Sequence, residues 1–211
     1  MEGTTKINEA RELFGKNFLG PLELEPMFKQ MGLNVGFEKI PAIHYTKAEL
    51  ENAAKEGYIL VCTFNKVDDT LLNITLFRKK FGFDPEINEP CLYNQDWYLA
   101  ENFIQKALTD GWCLIKKTVY ESSRAVMPLD LITQNIIFPS AILCTYTFFA
   151  YYFAYGEMLW YHDFVWCEDT DHNGDRIYVG KYHDVDGVNK NGFSIHRHLA
   201  LRPCYGAIGV R

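Results

Sequence analysis

"NIIFPSAILCTYTFFAYYFAYG", residues 135 to 156, is the stretch on which the reading of the fold turns. It carries no charged residue and is long enough to cross a bilayer. Its details argue for a different role. Pro139 stands near its start, and four tyrosines fall within it, three of them near its end. Lys and Arg are missing from both flanks, where a membrane span would carry them. A helix that is apolar on every side is also what the centre of a large soluble core contains. We expect a buried helix at about 140–155, with Phe149 and Phe153, four apart, on one face between a sheet and the N-terminal helices.

Upstream, residues 1–57 read as helical. "INEARELFGKNF" has apolar positions at helical spacing, and "GPLELEPMFKQMG" is bounded by glycines, with Pro26 expected in a first turn. In "HYTKAELENAAKEG", Thr46 and Glu49 have the spacing of a capping box, and Gly57 suits a C-terminal stop. Residues 58–156 read as mixed. "YILVCTF" (58–64) and "LLNITLF" (71–77) suggest a hairpin, Asp96 to Leu108 a helix capped by Asn94 or Asp96, and "WCLIKKTV" (112–119) a further strand. Residues 157–211 read as β-rich with polar loops, through "EMLWYHDFVWC", "RIYVGKY" and "GAIGVR". Strands and helices do not alternate regularly, so the expectation is a single α+β domain over 1–211, with an antiparallel or mixed sheet around the buried helix.

Composition sets limits on function. A net charge of −6 disfavours a general nucleic-acid binder, because phosphate neutralisation needs a basic face. The six cysteines are scattered with no CxxC pair, and the first residues lack the apolar core of an export signal. We therefore expect reduced thiols, a cytoplasmic location and no membrane association. No P-loop, GxGxxG turn, HExxH, GxSxG or kinase motif is present, which removes the commonest enzyme classes as defaults.

Chemistry concentrates in the last quarter. In "CEDTDHNGDRIYVGK" (167–181), Asp169, Asp171, Asn173 and Gly174 match the first half of a calcium loop. The match fails at its closing position, Gly180, and a strand follows in place of a helix. Asp169, Asp171, Asn173 and Asp175 remain a candidate calcium-like set, against the simpler reading of a hairpin tip built on Asn-Gly.

His196 and His198, two apart, face the same way if in a strand, and with His183 they form a candidate transition-metal set such as zinc. Further ligands are available in "YHD" (161–163), "YHDVDG" (182–187) and Cys204, and Cys204 with His198 is a weaker nucleophile–base pair. A third group combines "YNQDWYLAENF" (93–103) with "ESSRAVMP" (121–128), including Arg124, where rings and polar groups suit a pocket.

The run "WCEDTDHNGDRIYVG" and the closing "IGVR" resemble the tail of C-type-lectin-like and formylglycine-enzyme-like domains. The likeness covers at most a quarter of the chain, and the sequence leading into the formylglycine family's catalytic core is missing. It implies a binding scaffold whose polar loops form the binding face.

The leading expectation is thus a non-catalytic domain that binds a protein or small molecule through residues 160–205. Trp160, Trp166, Arg197, Asp184 and Asp186 are its candidate contact residues. The rival from another class is a metal-dependent hydrolase, with His196 and His198 as ligands and Asp184 or Asp186 as base. A structural or assembly protein is the third reading.

Overall fold

A computed structural model describes residues 5–34, 40–93, 95–183, 191–197 and 201–211. Helices α1 (Ile7–Phe14) and α2 (Pro21–Gln30) flank the short strand β1 (Phe18–Leu19). Helix α3 (Lys47–Lys55) leads into β2 (Tyr58–Thr63), and a small hairpin, β3 (Lys66–Val67) and β4 (Thr70–Leu71), precedes α4 (Ile74–Phe81). After β5 (Gly111–Lys116) and α5 (Pro128–Thr133) comes the long helix α6 (Ala141–Tyr155). The chain closes with β6 (Phe164–Thr170), β7 (Arg176–Gly180), β8 (Ser194–Arg197) and β9 (Tyr205–Gly206). This is an α+β fold with mixed sheets.

Helix α6 is the hub. Ser140 caps it by accepting the Leu143 N–H, the Asp169 carboxylate accepts the Ala141 N–H, and Gly156 ends it in the left-handed region. Residues 141 to 151 are all buried. Its fifteen residues make a rod of roughly 22 Å, short of the ~30 Å of a bilayer interior. Among the described residues no helix is long and apolar enough to cross a membrane.

The helix packs against α2, α4 and both of the larger sheets. Phe149 is fully buried and stacks on Phe81 at 4.3 Å, with Phe153 on the same ring at 5.3 Å. The face predicted for this pair is therefore real, with the α4 ring Phe81 stacked on it, and the N-terminal helix α2 also packs on α6.

Of the three sheets among the described residues, β3-β4 is the smallest, and the two larger have the orders β1-β2-β5 and β8-β7-β6-β9. The last residues join them. Tyr205 and Gly206 run parallel to β6, and Val210 bridges Ile115 on the free side of β5. Strands β6 and β7 alternate as a half-turn period requires. Val165, Cys167, Ile177 and Val179 face the main core, while Phe164, Trp166 and Tyr178 enter a smaller core with Leu131, Phe138, Tyr205 and Ala207.

The capping box at Thr46 and Glu49 forms as expected, as does the β6–β7 hairpin. Three expectations are corrected. The strand expected over 71–77 stops at Leu71, in β4, and β2 pairs with β5 and β1 instead. Asn73 accepts the Leu76 N–H and starts α4, whose buried Ile74, Phe77 and Phe81 have helical spacing. Pro26 lies inside α2, whose first residue is another proline, Pro21. Residues 96–108 form turns and a short 3-10 segment (Asn102–Gln105), not an α-helix. Their polar groups are bonded to separate distant elements: Trp97 Nε1–H to Ile195 O, Tyr98 OH to Arg78, and Glu101 to His172.

Candidate functional site

The β6–β7 hairpin turns through residues 171 to 175, with Gly174 at a φ of +86°. The Asp171 side chain organises this turn. Its Oδ1 accepts the N–H groups of Asn173 (2.9 Å) and Asp175 (2.8 Å), and its Oδ2 accepts Arg197 Nη1 at 2.8 Å. Burial pushes the Asp171 carboxyl up, but Arg197 and the two backbone donors outweigh it and hold it below the ordinary carboxylate value.

Asp169 points elsewhere. Lys106 Nζ donates to one of its oxygens at 2.6 Å, and the first N–H of α6 donates to the other at 2.7 Å. Asn173 is exposed. The expected calcium-like set of Asp169, Asp171, Asn173 and Asp175 therefore does not converge, because its two buried carboxylates are bonded to protein donors on different sides of the strand.

A different group does come together. Glu101, whose side chain is only 6% exposed, accepts the His172 backbone N–H at 2.9 Å and lies 2.6 Å from His172 Nδ1. Arg197 Nη1 is 3.9 Å from the same carboxylate, and its guanidinium lies 4.9 Å over the Trp97 ring. Glu101, Asp171 and His172 are the one trio of potential ligands among the described residues whose ligand atoms all lie within 4.8 Å of one another. Glu101 is bonded to His172 and Asp171 to Arg197, so the arrangement reads first as a hydrogen-bonded polar network. Glu101 and Trp97 lie in the 93–103 stretch expected to line a pocket with 121–128, but they meet His172 and Arg197 instead, while Arg124 of the second stretch is bonded elsewhere.

The remaining candidates separate. His196 lies within β8, stacked on Tyr178 at 5.7 Å, with Gln95 Nε2 3.1 Å from its Nε2. His183 lies beyond the other end of β7, bonded through Nδ1 to Asn191 Oδ1 at 2.8 Å. Among the described residues these two histidines do not share a ligand trio. Asp184, Asp186 and His198 lie outside the described residues.

Trp166, expected as a surface contact, is 4% exposed and sits between Tyr178 and Tyr205. It faces away from the main core and into the smaller one, which makes it a core ring. Trp160 is likewise buried, with Nε1–H donating to Lys117 O. Arg124 is taken up by Asp163 and Glu121. Burial raises the Cys204 thiol and pushes those of Cys62 and Cys91 up to about 12, away from thiolate nucleophilicity. An open cavity of about 420 Å³ lies between α1 and α3, but no residue singled out from the sequence lines it.

The hairpin tip is layered. Asp171 and Glu101 lie beneath, with 0% and 6% of their side chains exposed, while Arg197 and His172 lie above at 30% and 65%. Acceptors are buried and donors face outward. No known family, curated protein or solved structure matches this chain.

Proposed function

We propose that the protein is a non-catalytic binding domain whose contact face is the β6–β7 tip, formed by His172, Arg197 and Trp97 over the buried Glu101 and Asp171. The observation that carries this reading is the layering of the site. A guanidinium held over an indole, beside an imidazole anchored through its Nδ1, forms a rigid donor surface that loses little freedom on binding. Its chemistry suits a protein segment or small molecule bearing a carboxylate, which a guanidinium binds in charge-assisted pairs. The likeness of the last quarter to lectin-like binding scaffolds points the same way. No metal is needed for this contact.

Titration with citrate and with a panel of acidic peptides tests it, read by NMR at the Trp97 indole N–H. Carboxylate ligands should shift that resonance in the wild type. His172→Ala removes the most exposed donor, leaves the Asp171–Arg197 pair intact, and should weaken the same ligands several-fold. No response from any ligand, or equal affinity in the variant, would overturn the reading.

One observation favours a second reading, self-assembly. Met127, Leu129, Ile132 and Ile137 are all exposed around α5, above the smaller core. Several exposed large apolar side chains on one short stretch of chain are the kind of surface that marks contact sites. Light scattering on the wild type and Leu129→Glu decides this reading. A dimer that dissociates in the variant supports it, and a monomeric wild type removes it.

A further inference from the structure

At the opposite end of the β6–β7 pair the chain enters β6 through residues 160–163 and leaves β7 through residues 181–183. The two passages are bonded together. Lys181 N–H donates to Trp160 O and Asp163 O, and His183 N–H donates to Tyr161 O at 3.1 Å. Trp160 and Lys181 have φ of +48° and +42°, a region that bulky side chains rarely occupy. A Cβ at Gly180, where φ is +118°, would come 2.6 Å from Asp163 O. Backbone in such conformations persists only where its surroundings fix it, and it concentrates at functional sites.

The crossing holds a cluster of rings. Tyr161 and His183 are parallel, 1° apart in plane and 5.2 Å between centres. His162 stands at 78° to both, 4.6 Å from Tyr161 and 5.8 Å from His183. Tyr161 and His162 are exposed and His183 is half-buried, so the cluster is reachable from solution.

The Asn191 contact orients His183. An amide oxygen only accepts, so the bond to Asn191 Oδ1 places the proton on Nδ1, and Nε2 of the neutral ring keeps its lone pair. Ligating histidines are commonly held this way by a second group. Two imidazoles that share one ion at nitrogen–metal distances of about 2.0–2.1 Å have ring centres roughly 4.5–6.3 Å apart as the angle at the metal opens from a right angle to a straight one. The His162–His183 separation of 5.8 Å falls in that range. The nearby Asp163 is already engaged by Arg124, so among the described residues of the crossing the two imidazoles are the donors on which the site rests.

We propose that His162 and His183 form a two-imidazole site for a divalent transition-metal ion, with water completing the coordination shell. This pairing differs from the sequence-derived set of His183 with His196 and His198, and it is independent of the binding face at the hairpin tip. Imidazole ligands favour Zn2+, Ni2+ and Cu2+ over Mg2+ and Ca2+, and Cu2+ should bind most tightly of these.

Titration of tag-free protein with Cu2+, followed by calorimetry and electron paramagnetic resonance, tests the site. One equivalent should bind with nitrogen couplings from two imidazoles. His162→Ala should weaken that binding by about tenfold or more, as should Asn191→Ala, since loss of an orienting partner costs about 10–100-fold. His44→Ala, at a histidine packed against the Tyr45 ring, should change nothing. Cu2+ binding of equal strength in His162→Ala, or none in the wild type, would overturn the assignment.

Discussion

The phenol of Tyr146, in the middle of α6, donates to the backbone carbonyl of Cys62 in β2 at 3.0 Å. Nine residues on, Tyr155 donates to Phe18 O in β1 at 2.6 Å. Two of the four tyrosines that set this helix apart from a membrane span thus fasten it to the first sheet, each satisfying its own hydroxyl. Tyr146→Phe keeps the ring and removes the bond. It should cost about 1 kcal/mol, or a fall of about 2–4 °C in Tm for a chain of this length. Calorimetry that finds the variant as stable as the wild type would contradict this role.

Phe149 is fully buried and touches Phe77, Phe81, Phe148 and Phe193. Truncating such a ring typically costs about 3–5 kcal/mol, a large part of the roughly 5–15 kcal/mol of a normal domain. Phe149→Ala should therefore unfold at much lower urea concentration or be insoluble. An unchanged urea midpoint would show that α6 is not the centre of the core.

The Asp171 network makes stability depend on pH in a stated direction. The folded carboxyl lies below its ordinary value of 3.8. Its contribution is therefore fully present above that value and is lost as pH falls through the folded one. Asp171→Asn should be less stable than wild type at pH 7, and the difference should shrink as the pH drops below about 4. Urea unfolding at a series of pH values measures it. A gap that stays constant across the series would mean that the charge of Asp171 adds nothing.

Local signals in the sequence were legible because local physics produces them. Thr46 and Glu49 satisfy each other's backbone donors within one turn, and Asn173-Gly174 reverses the chain by its own conformational preference. The strand reading of 71–77 stopped four residues short of Phe81, whose burial completes the helical spacing. The site lay beyond such reasoning. Glu101 reaches His172 across 71 positions, and Arg197 reaches Asp171 across 26, so no spacing rule connects them. Trp166 was misplaced because the alternation of β6 was visible but the smaller core on its outer side was not. The histidine pair did leave a trace, the tripeptide Tyr-His-Asp at both 161–163 and 182–184, but only the crossing of the two passages turns that repeat into a contact.

The most direct test of the proposed binding face is a hydrogen-exchange footprint of the protein with the strongest carboxylate ligand from the titrations. Residues 171–175, 194–197 and the stretch around Trp97 should slow their exchange on binding, and the Tyr161–His183 end should not. Protection confined to α5 or to the α1–α3 groove, with the hairpin tip exchanging as in the free protein, would contradict the account.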